Sequence, residues 1–324
     1  MSEYSNAGFI LTPNAWKVSK MYALKPVPVL PNAAPFSIPY VRSTVANRRL
    51  ANASYAAMSI NEPLLNYNAG DTCPFWLYDK NRTNLILNNA VVVTQDCTVT
   101  AVPYTLSFVG TGTITLSGTH VASLVGTGAT DRVVLTFTPT AGTLTLTITG
   151  TVTIGQLEAG QYATNPITTA GSPVTRDYCY TTFSGLLTSG FVGTSGGSLN
   201  IVFKNVQKGL GAITGYFGDT AKTAIEFGGS NLSTINLWKR DAGVQGYVGA
   251  TPVSTSLNIV ITYSATAMLV YINGALRYTI TQAVDLTSFT TLYLSSIDFS
   301  FQISKCELYA TQLTGVEAIA LSNE

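Results

Sequence analysis

The sequence is short of charge, of histidine and of long apolar runs. Only 10% of its 324 residues are Asp, Glu, Lys or Arg, and the formal net charge is +1. Binding to nucleic acid or to an anionic membrane surface draws on a basic stripe, so the reading is no nucleic-acid partner and no membrane insertion. His120 is the only histidine. It cannot make a site that takes several imidazoles, and no Ser/Asp or Cys partner is suggested near it for a triad; it reads as a surface histidine. The cysteines Cys73, Cys97, Cys179 and Cys306 show neither Cys-x-x-Cys nor Cys/His ligand spacing. They read as buried free thiols, with no metal and no cofactor expected. Mean hydropathy is +0.27, but apolar residues alternate with Thr or Ser, and no run approaches the ~20 residues of a spanning helix. The opening Met1-Ser-Glu-Tyr-Ser-Asn lacks the basic start and apolar core of a secretory signal, which predicts synthesis in a cytoplasm. The sequons at Asn52, Asn81 and Asn231 carry no meaning on that route.

What is present is hydrophobic and β-forming. Hydrophobic residues make up 46% of the chain, and the length suits two domains with an additional arm. Residues 1–89 read as an extended arm and an irregular docking region. Pro26, Pro28, Pro31, Pro35 and Pro39 remove backbone donors and fix φ, so up to about Tyr40 neither a helix nor an inner strand is expected. Trp16, Tyr22, Phe36 and Tyr40 are its candidate docking residues, because an ordered arm is usually tied down by something; an arm folded back on its own domain is the alternative. Residues 90–180 alternate with period two, as in Tyr104-Thr-Leu-Ser-Phe, Thr113-Ile-Thr-Leu-Ser and Thr143-Leu-Thr-Leu-Thr-Ile-Thr, which predicts a small antiparallel sandwich and a connecting segment. After the Gly/Ser-rich stretch from Ser189, residues 181–324 repeat the pattern. Asn273-Gly274 marks a hairpin between Met268–Ile272 and Leu276–Ile280, and Leu313–Leu321 reads as a short helix with Thr314 as its cap. The fold class is all-β: an extended arm, two antiparallel jelly-roll-type β-sandwiches and a short C-terminal helix.

Chemistry is sparse. Glycoside hydrolysis needs two carboxyl groups ~5 to 9.5 Å apart. Glu158 is placed in the inter-domain turn, Asp219 and Glu226 flank a hairpin, and Glu226 with Asp241 is the one pair worth weighing against solvated turn acids. Gly193-Thr-Ser-Gly-Gly-Ser and Gly209-Leu-Gly lack the Lys-Ser/Thr of a phosphate loop and read as turns. No catalytic residue is assigned and the chain is expected not to be an enzyme. Sugars stack their apolar faces on aromatics while their hydroxyls take polar partners. Tyr216, Trp238, Arg240 and Tyr247 are the candidate glycan platform, set against a reading as core or subunit-contact aromatics.

Several segments carry a resemblance. Gly155-Gln-Leu-Glu-Ala-Gly-Gln-Tyr-Ala-Thr-Asn-Pro followed by Val174-Thr-Arg, together with Arg42-Ser-Thr-Val-Ala-Asn-Arg, Asn61-Glu-Pro-Leu-Leu-Asn-Tyr and Leu77-Tyr-Asp-Lys-Asn-Arg-Thr-Asn-Leu-Ile-Leu, resembles segments of tailed-bacteriophage virion proteins of the fibre, spike or capsid-decoration type. Leu64-Leu65-Asn66 departs from the Arg-Leu-Asp found there and lacks its charges. The first sandwich is similar to a carbohydrate-binding-module jelly roll. Val270-Tyr-Ile-Asn-Gly, Phe301-Gln-Ile-Ser-Lys-Cys-Glu-Leu-Tyr and Leu313-Thr-Gly-Val-Glu-Ala-Ile-Ala-Leu resemble the concanavalin A-like or laminin-G-like sandwich. The resemblance implies a structural subunit located in the virion, docked through its arm on other virion proteins and assembled as a homotrimer. Its lectin-like domain would aid host adsorption. An adhesin that recognises a host cell-surface glycan is the alternative, and a polysaccharide depolymerase a lesser one.

Overall fold

Threonine-rich alternation folds here into sheets whose two faces meet different surroundings. The computed structural model describes residues 40–323, except 208–210, 232–233, 242–243, 253–255, 282 and 297–299, with backbone strands within 9–37; side chains of 1–39, 129, 206–214, 227–238 and 240–255 lie outside the description. The first sandwich packs a four-stranded sheet, ordered Gln95–Val99, Gly142–Thr149, Thr113–Gly118, Ala122–Val125, on a three-stranded sheet ordered Gly128–Phe137, Tyr104–Gly110, Val152–Ala159. Register sets Leu116 opposite Leu146 and Leu106 opposite both Leu135 and Leu157. Leu106, Phe108, Ile114, Leu116, Leu144, Leu146 and Leu157 are fully buried between the sheets, each contributing roughly 1.5–3 kcal/mol.

The second sandwich is larger. Its front sheet runs Val244–Pro252, Thr234–Asp241, Thr223–Asn231, Gly211–Gly218, Thr291–Ser295, Tyr180–Ser184, Tyr40–Val41. Its back sheet runs Ala275–Ile280, Met268–Ile272, Ser256–Tyr263, Gly197–Gln207, Ser300–Tyr309, Phe9–Thr12, Ala15–Val18, Met21–Ala23. Phe75–Tyr78 also pairs with Ser300–Tyr309, and Leu64–Asn66 with Phe75–Tyr78. Between the sheets lie Phe183, Leu199, Ile201, Phe217, Ile225, Ile259, Ile261, Phe289, Leu292 and Phe301. The all-β expectation holds, down to the helix Gly315–Ser322, whose cap Thr314 exchanges a capping box with Glu317. Among the described residues no helix is long and apolar enough to cross a membrane.

The reading of the first forty residues needs correction. Phe9–Thr12 is an inner strand, paired on one side with Cys306–Leu308 and on the other with Ala15–Val18. The prolines that argued against a strand all lie farther along, from Pro26 to Pro39, so they leave these backbone donors free for the ladder. Likewise the segment 40–89 supplies edge strands to both sheets of the second sandwich. Tyr40, a candidate docking residue, is buried in the chain's own core, its ring centroid 6.0 Å from that of Tyr78. The side chains of Trp16, Tyr22 and Phe36 lie outside the described residues.

Cys97, Cys179 and Cys306 are buried thiols, whereas Cys73 is exposed, contrary to the reading of all four as buried. It follows Asn66-Tyr-Asn-Ala-Gly-Asp, whose turn at Gly70 (φ +83°) turns this stretch outward. Burial pushes Cys97 up to about 11, with Asp96 adding to it, and raises Cys179 and Cys306. Since the thiolate is the reactive form, a thiol alkylating reagent at neutral pH should modify Cys73 alone in the native chain, as read by mass spectrometry. Labelling of Cys179 or Cys306 at a comparable rate would contradict this burial.

The Asn273-Gly274 turn has φ of +48° and +78°, the left-handed pair of a type I′ hairpin. Asn273 Oδ1 accepts from the Asn258 amide at 2.9 Å, and the Gly274 amide donates to the Ser322 carbonyl at 3.0 Å, which ties the turn to the terminal helix. A Cβ on Gly274 would stand 2.8 Å from Asn323 Oδ1. Gly274→Val is expected to lower stability by roughly 1–3 kcal/mol, measured by thermal unfolding of the full chain; an unchanged midpoint would show that the turn carries no strain penalty.

Candidate functional site

Several of the few charges of this chain lie inside it. Asp79, at the end of Phe75–Tyr78, and Arg176, closing Val174–Arg176, meet at 3.0 Å with almost no exposure. Asp79 also accepts from Ser300 Oγ at 2.8 Å and from the Asn165 amide at 2.9 Å. Arg176 donates to the carbonyls of Asn165 and Lys80 at 2.9 and 2.8 Å. Ser296 Oγ donates to the Asp79 carbonyl at 2.8 Å, and the Asp79 amide to Cys179 Sγ at 3.3 Å. A buried charge is tolerated when paired and hydrogen-bonded, and this pair is both.

A second knot lies beside it. Glu158 is fully buried within the strand Val152–Ala159, and its carboxylate accepts from Gln156 Nε2, the Thr164 amide and Thr164 Oγ1 at 2.6–2.8 Å, with Arg82 Nε at 3.6 Å. The expectation of a solvated acid in a turn is therefore wrong. Its hydrogen-bond donors, Gln156 and Thr164, lie close by in sequence, whereas Arg82 comes from a distant segment and alternation alone does not show that the position is closed to solvent. Asn84 spans the same seam, donating to the carbonyls of Gly155 and Ile167 at 3.0 Å. Arg42 is bound just as tightly: it donates to the carbonyls of Thr44, Glu62 and Ser59 at 2.6–3.0 Å. Where the phage-like pattern would place charges, Asn66 accepts instead from the Arg49 amide and Asn165 Nδ2 at 2.6 and 2.7 Å. Gln-Leu-Glu, Val-Thr-Arg and Arg-Thr-Asn are thus structural residues.

The acid pair weighed for hydrolysis is not brought together. Glu226 pairs with Trp238 and Thr223 with Asp241, so Glu226 and Asp241 stand three registers apart, an odd offset that assigns them to opposite faces of the sheet. Glu226 is also fully buried, which overturns its reading as a solvated acid. His120 stacks on Phe137 with centroids 4.6 Å apart. Among the described residues no group of three or more His, Cys, Asp and Glu gathers.

The outer face of the front sheet is different in kind. Alternation turns Phe183, Phe217, Leu292 and Leu294 inward, which leaves Tyr180, Tyr216 and Tyr293 on the opposite side, with Tyr178 just before the strand Tyr180–Ser184. All four are half-buried. Ring centroids are 6.1 Å apart from Tyr178 to Tyr180, 5.9 Å from Tyr180 to Tyr293 and 5.2 Å from Tyr293 to Tyr216, the last pair stacked. Desolvation raises the phenols of Tyr178 and Tyr216, with Tyr293 beside them adding to it, so both stay neutral hydroxyls at physiological pH. The result is a ribbon of apolar ring surface edged with hydroxyl donors and acceptors.

Tyr216 belongs to the platform inferred from sequence. Register extends the line from it through Glu226 and Trp238 to Tyr247, and Arg240 stands two residues from Trp238 on the same strand; the side chains of Trp238, Arg240 and Tyr247 lie outside the described residues. Tyr178, Tyr180 and Tyr293 were missed. Their signal is a tyrosine at a polar-face position beside an inward apolar or Cys residue, in Tyr178-Cys-Tyr180 and in Leu292-Tyr-Leu. It is visible only once the two strands, more than a hundred residues apart in sequence, are known to be neighbours.

No protein-family model matches this chain, and no curated protein does. Solved structures show partial likeness. The binding domain of botulinum neurotoxin DC in complex with rat synaptotagmin II is 15% identical over 45% of this chain and 40% of its own, with a TM-score of 0.33. The Ruminococcus gnavus IT-sialidase CBM40 bound to α2,3-sialyllactose is 15% identical over 41% of this chain and 84% of its own, TM-score 0.33. Domain 4 of AbnA, an extracellular arabinanase from Geobacillus stearothermophilus in complex with arabinotriose, is 17% identical over 45% and 73%, TM-score 0.36. Scores this low leave the residues of this chain to make their own case.

If the Asp79–Arg176 pair holds the seam together, removing one partner leaves the other charge buried and alone. Asp79→Ala should then lower stability by roughly 3–5 kcal/mol, measured by denaturant unfolding. A loss below about 1 kcal/mol, the scale of an exposed ion pair, would show that the seam is held by other contacts.

Proposed function

We propose that this protein is a carbohydrate-recognising structural subunit of a tailed-phage virion, with the outer face of the front sheet as its glycan platform. The observation that carries the reading is the tyrosine ribbon from Tyr178 through Tyr180 and Tyr293 to Tyr216. Four half-exposed rings in contact on one sheet face are costly to leave in water, and they match the apolar faces of successive sugar rings while their hydroxyls serve the sugar hydroxyls. The virion setting is supported by the resemblance in Arg42–Arg48, Leu77–Leu87 and Gly155–Arg176, which also supports the homotrimer and docking on other virion proteins. The role is binding without cleavage: Glu158 is locked in its knot, and Glu226 has no facing acid at Asp241. Adhesion to a host-surface glycan and a structural place in the particle are two aspects of one subunit on this reading.

A glycan array probed with the full chain should give binding to extended oligosaccharides with their chain length unchanged. Tyr293→Ala, at the middle of the ribbon, should weaken that binding by up to about tenfold, the scale of one aromatic contact of roughly 0.5–1.5 kcal/mol. Absence of binding to any glycan, or equal binding by Tyr293→Ala, would sink the platform.

A further inference from the structure

A cavity of about 660 Å³ opens where the two sandwiches and the segment 40–89 meet, and none of the ribbon tyrosines lines it. Its volume falls within the ~300–1,000 Å³ of small-molecule sites. The floor is a trio of amides. Asn68 Nδ2 donates to Gln302 Oε1 at 3.3 Å, Gln302 Nε2 returns a bond to Asn68 Oδ1 at 3.1 Å, and Asn205 Nδ2 donates to Gln302 Oε1 at 2.9 Å. Counting donors and acceptors, each amide keeps one N–H to offer, and Asn205 keeps its carbonyl. Tyr67 and Tyr162 line the walls. Tyr162 is held in place by its hydroxyl bond to Ser300 at 3.3 Å and by the Arg82 guanidinium 5.1 Å from its ring centre.

Two features say that this trio is placed rather than incidental. Asn205 has φ +46° where the register shifts between Lys204 and Gln207, a left-handed backbone that Asn adopts more readily than other non-glycine residues and that lets a bulge re-aim its side chain. Gln302, which fixes both neighbours, is itself 6% exposed. Charge at the cavity is balanced: Arg49 and Arg132 face Asp131 and Asp79. Arg132 is occupied with Thr164 and Ser107, Arg49 donates to the Tyr67 carbonyl, and Asp79 is paired with Arg176. Neither an anion nor a cation is favoured.

We propose that this cavity is a second binding site, which takes a neutral polyhydroxylated ligand of one or two sugar units. Its hydroxyls are received by the amides of Asn68, Asn205 and Gln302, with Tyr67 and Tyr162 flanking the ring. The proposal stands whether or not the tyrosine ribbon binds glycans, since the two share no residue.

Calorimetric titration of the full chain with lactose, maltose and cellobiose in turn, and with glucuronate and glucosamine as charged comparators, tests it. At least one neutral disaccharide should bind. Asn205→Gly, which keeps the left-handed backbone and removes only the amide, and Asn68→Ala should each weaken it about tenfold or more, with melting midpoints confirming a native fold. The binding that Asn205→Gly removes should persist in Tyr216→Ala, whatever that change does at the ribbon. No binding by any neutral disaccharide at millimolar concentration, stronger binding of a charged comparator, or wild-type affinity in Asn205→Gly would overturn the site. Loss in Tyr216→Ala alone would assign the sugar to the ribbon and likewise overturn it.

Discussion

The ion pair between Asp79 and Arg176 is the contact on which the rest of the architecture turns. Asp79 follows a strand of the back sheet, Arg176 ends the segment leading out of the first sandwich, and their remaining partners come from residues 80, 165 and 300. One pair therefore holds four separate lengths of chain at a fixed spacing. The interior excludes water around it, so the attraction is little screened, and each lone pair or N–H that lacked a partner would carry a desolvation cost. Geometry of this kind tolerates little sliding of one sandwich against the other.

Charge is accordingly divided by role. Arg42, Asp79, Glu158, Arg176, Glu226, Lys239 and Glu307 are all buried, seven of the chain's 17 basic and 16 acidic residues. The surface is left to Thr, Ser and Asn, and the strands of the first sandwich show it: Thr145 and Thr147 turn away from the core that takes Leu144 and Leu146. On the front sheet the half-buried tyrosines gather into one contiguous apolar patch, unlike the exposed valines scattered over the rest of the described surface. A face with little field of its own selects ligands by shape and hydroxyl pattern more than by charge.

Much of this was legible in the residues. Period-two alternation located Thr113–Ser117 and Thr143–Thr149, since a half-buried strand writes its two faces into consecutive positions; it also located Tyr104–Phe108, whose polar face is buried as well. Asn273-Gly274 and the Thr314 cap were legible because their chemistry is local. Glu158 and Arg176 were visible as part of a motif, but their burial was not, because Arg82 beside the one and Asp79 and Lys80 beside the other come from a distant segment of the chain. Phe9–Thr12 was obscured by the prolines that follow it, although it lies ahead of them. The tyrosine ribbon was legible only through Tyr216, and the rest waited on strand order, which no single stretch encodes. The cavity amides were invisible for the same reason: Asn68, Asn205 and Gln302 become neighbours only in the folded chain.

Ser300–Tyr309 has a further consequence, through its position in the order of synthesis. It pairs with Gly197–Gln207 on one side and with Phe75–Tyr78 and Phe9–Thr12 on the other, so a strand translated late lies between strands translated early. Until it emerges, Phe9–Thr12 and Phe75–Tyr78 each have an open edge, and such edges are templates for pairing with other chains. The contacts it closes span up to about three hundred residues of sequence, the kind that fold slowly. A growing chain of this protein therefore carries an incomplete back sheet until Ser300–Tyr309 is made, and Phe9–Thr12 and Phe75–Tyr78 keep open edges until that strand closes between them.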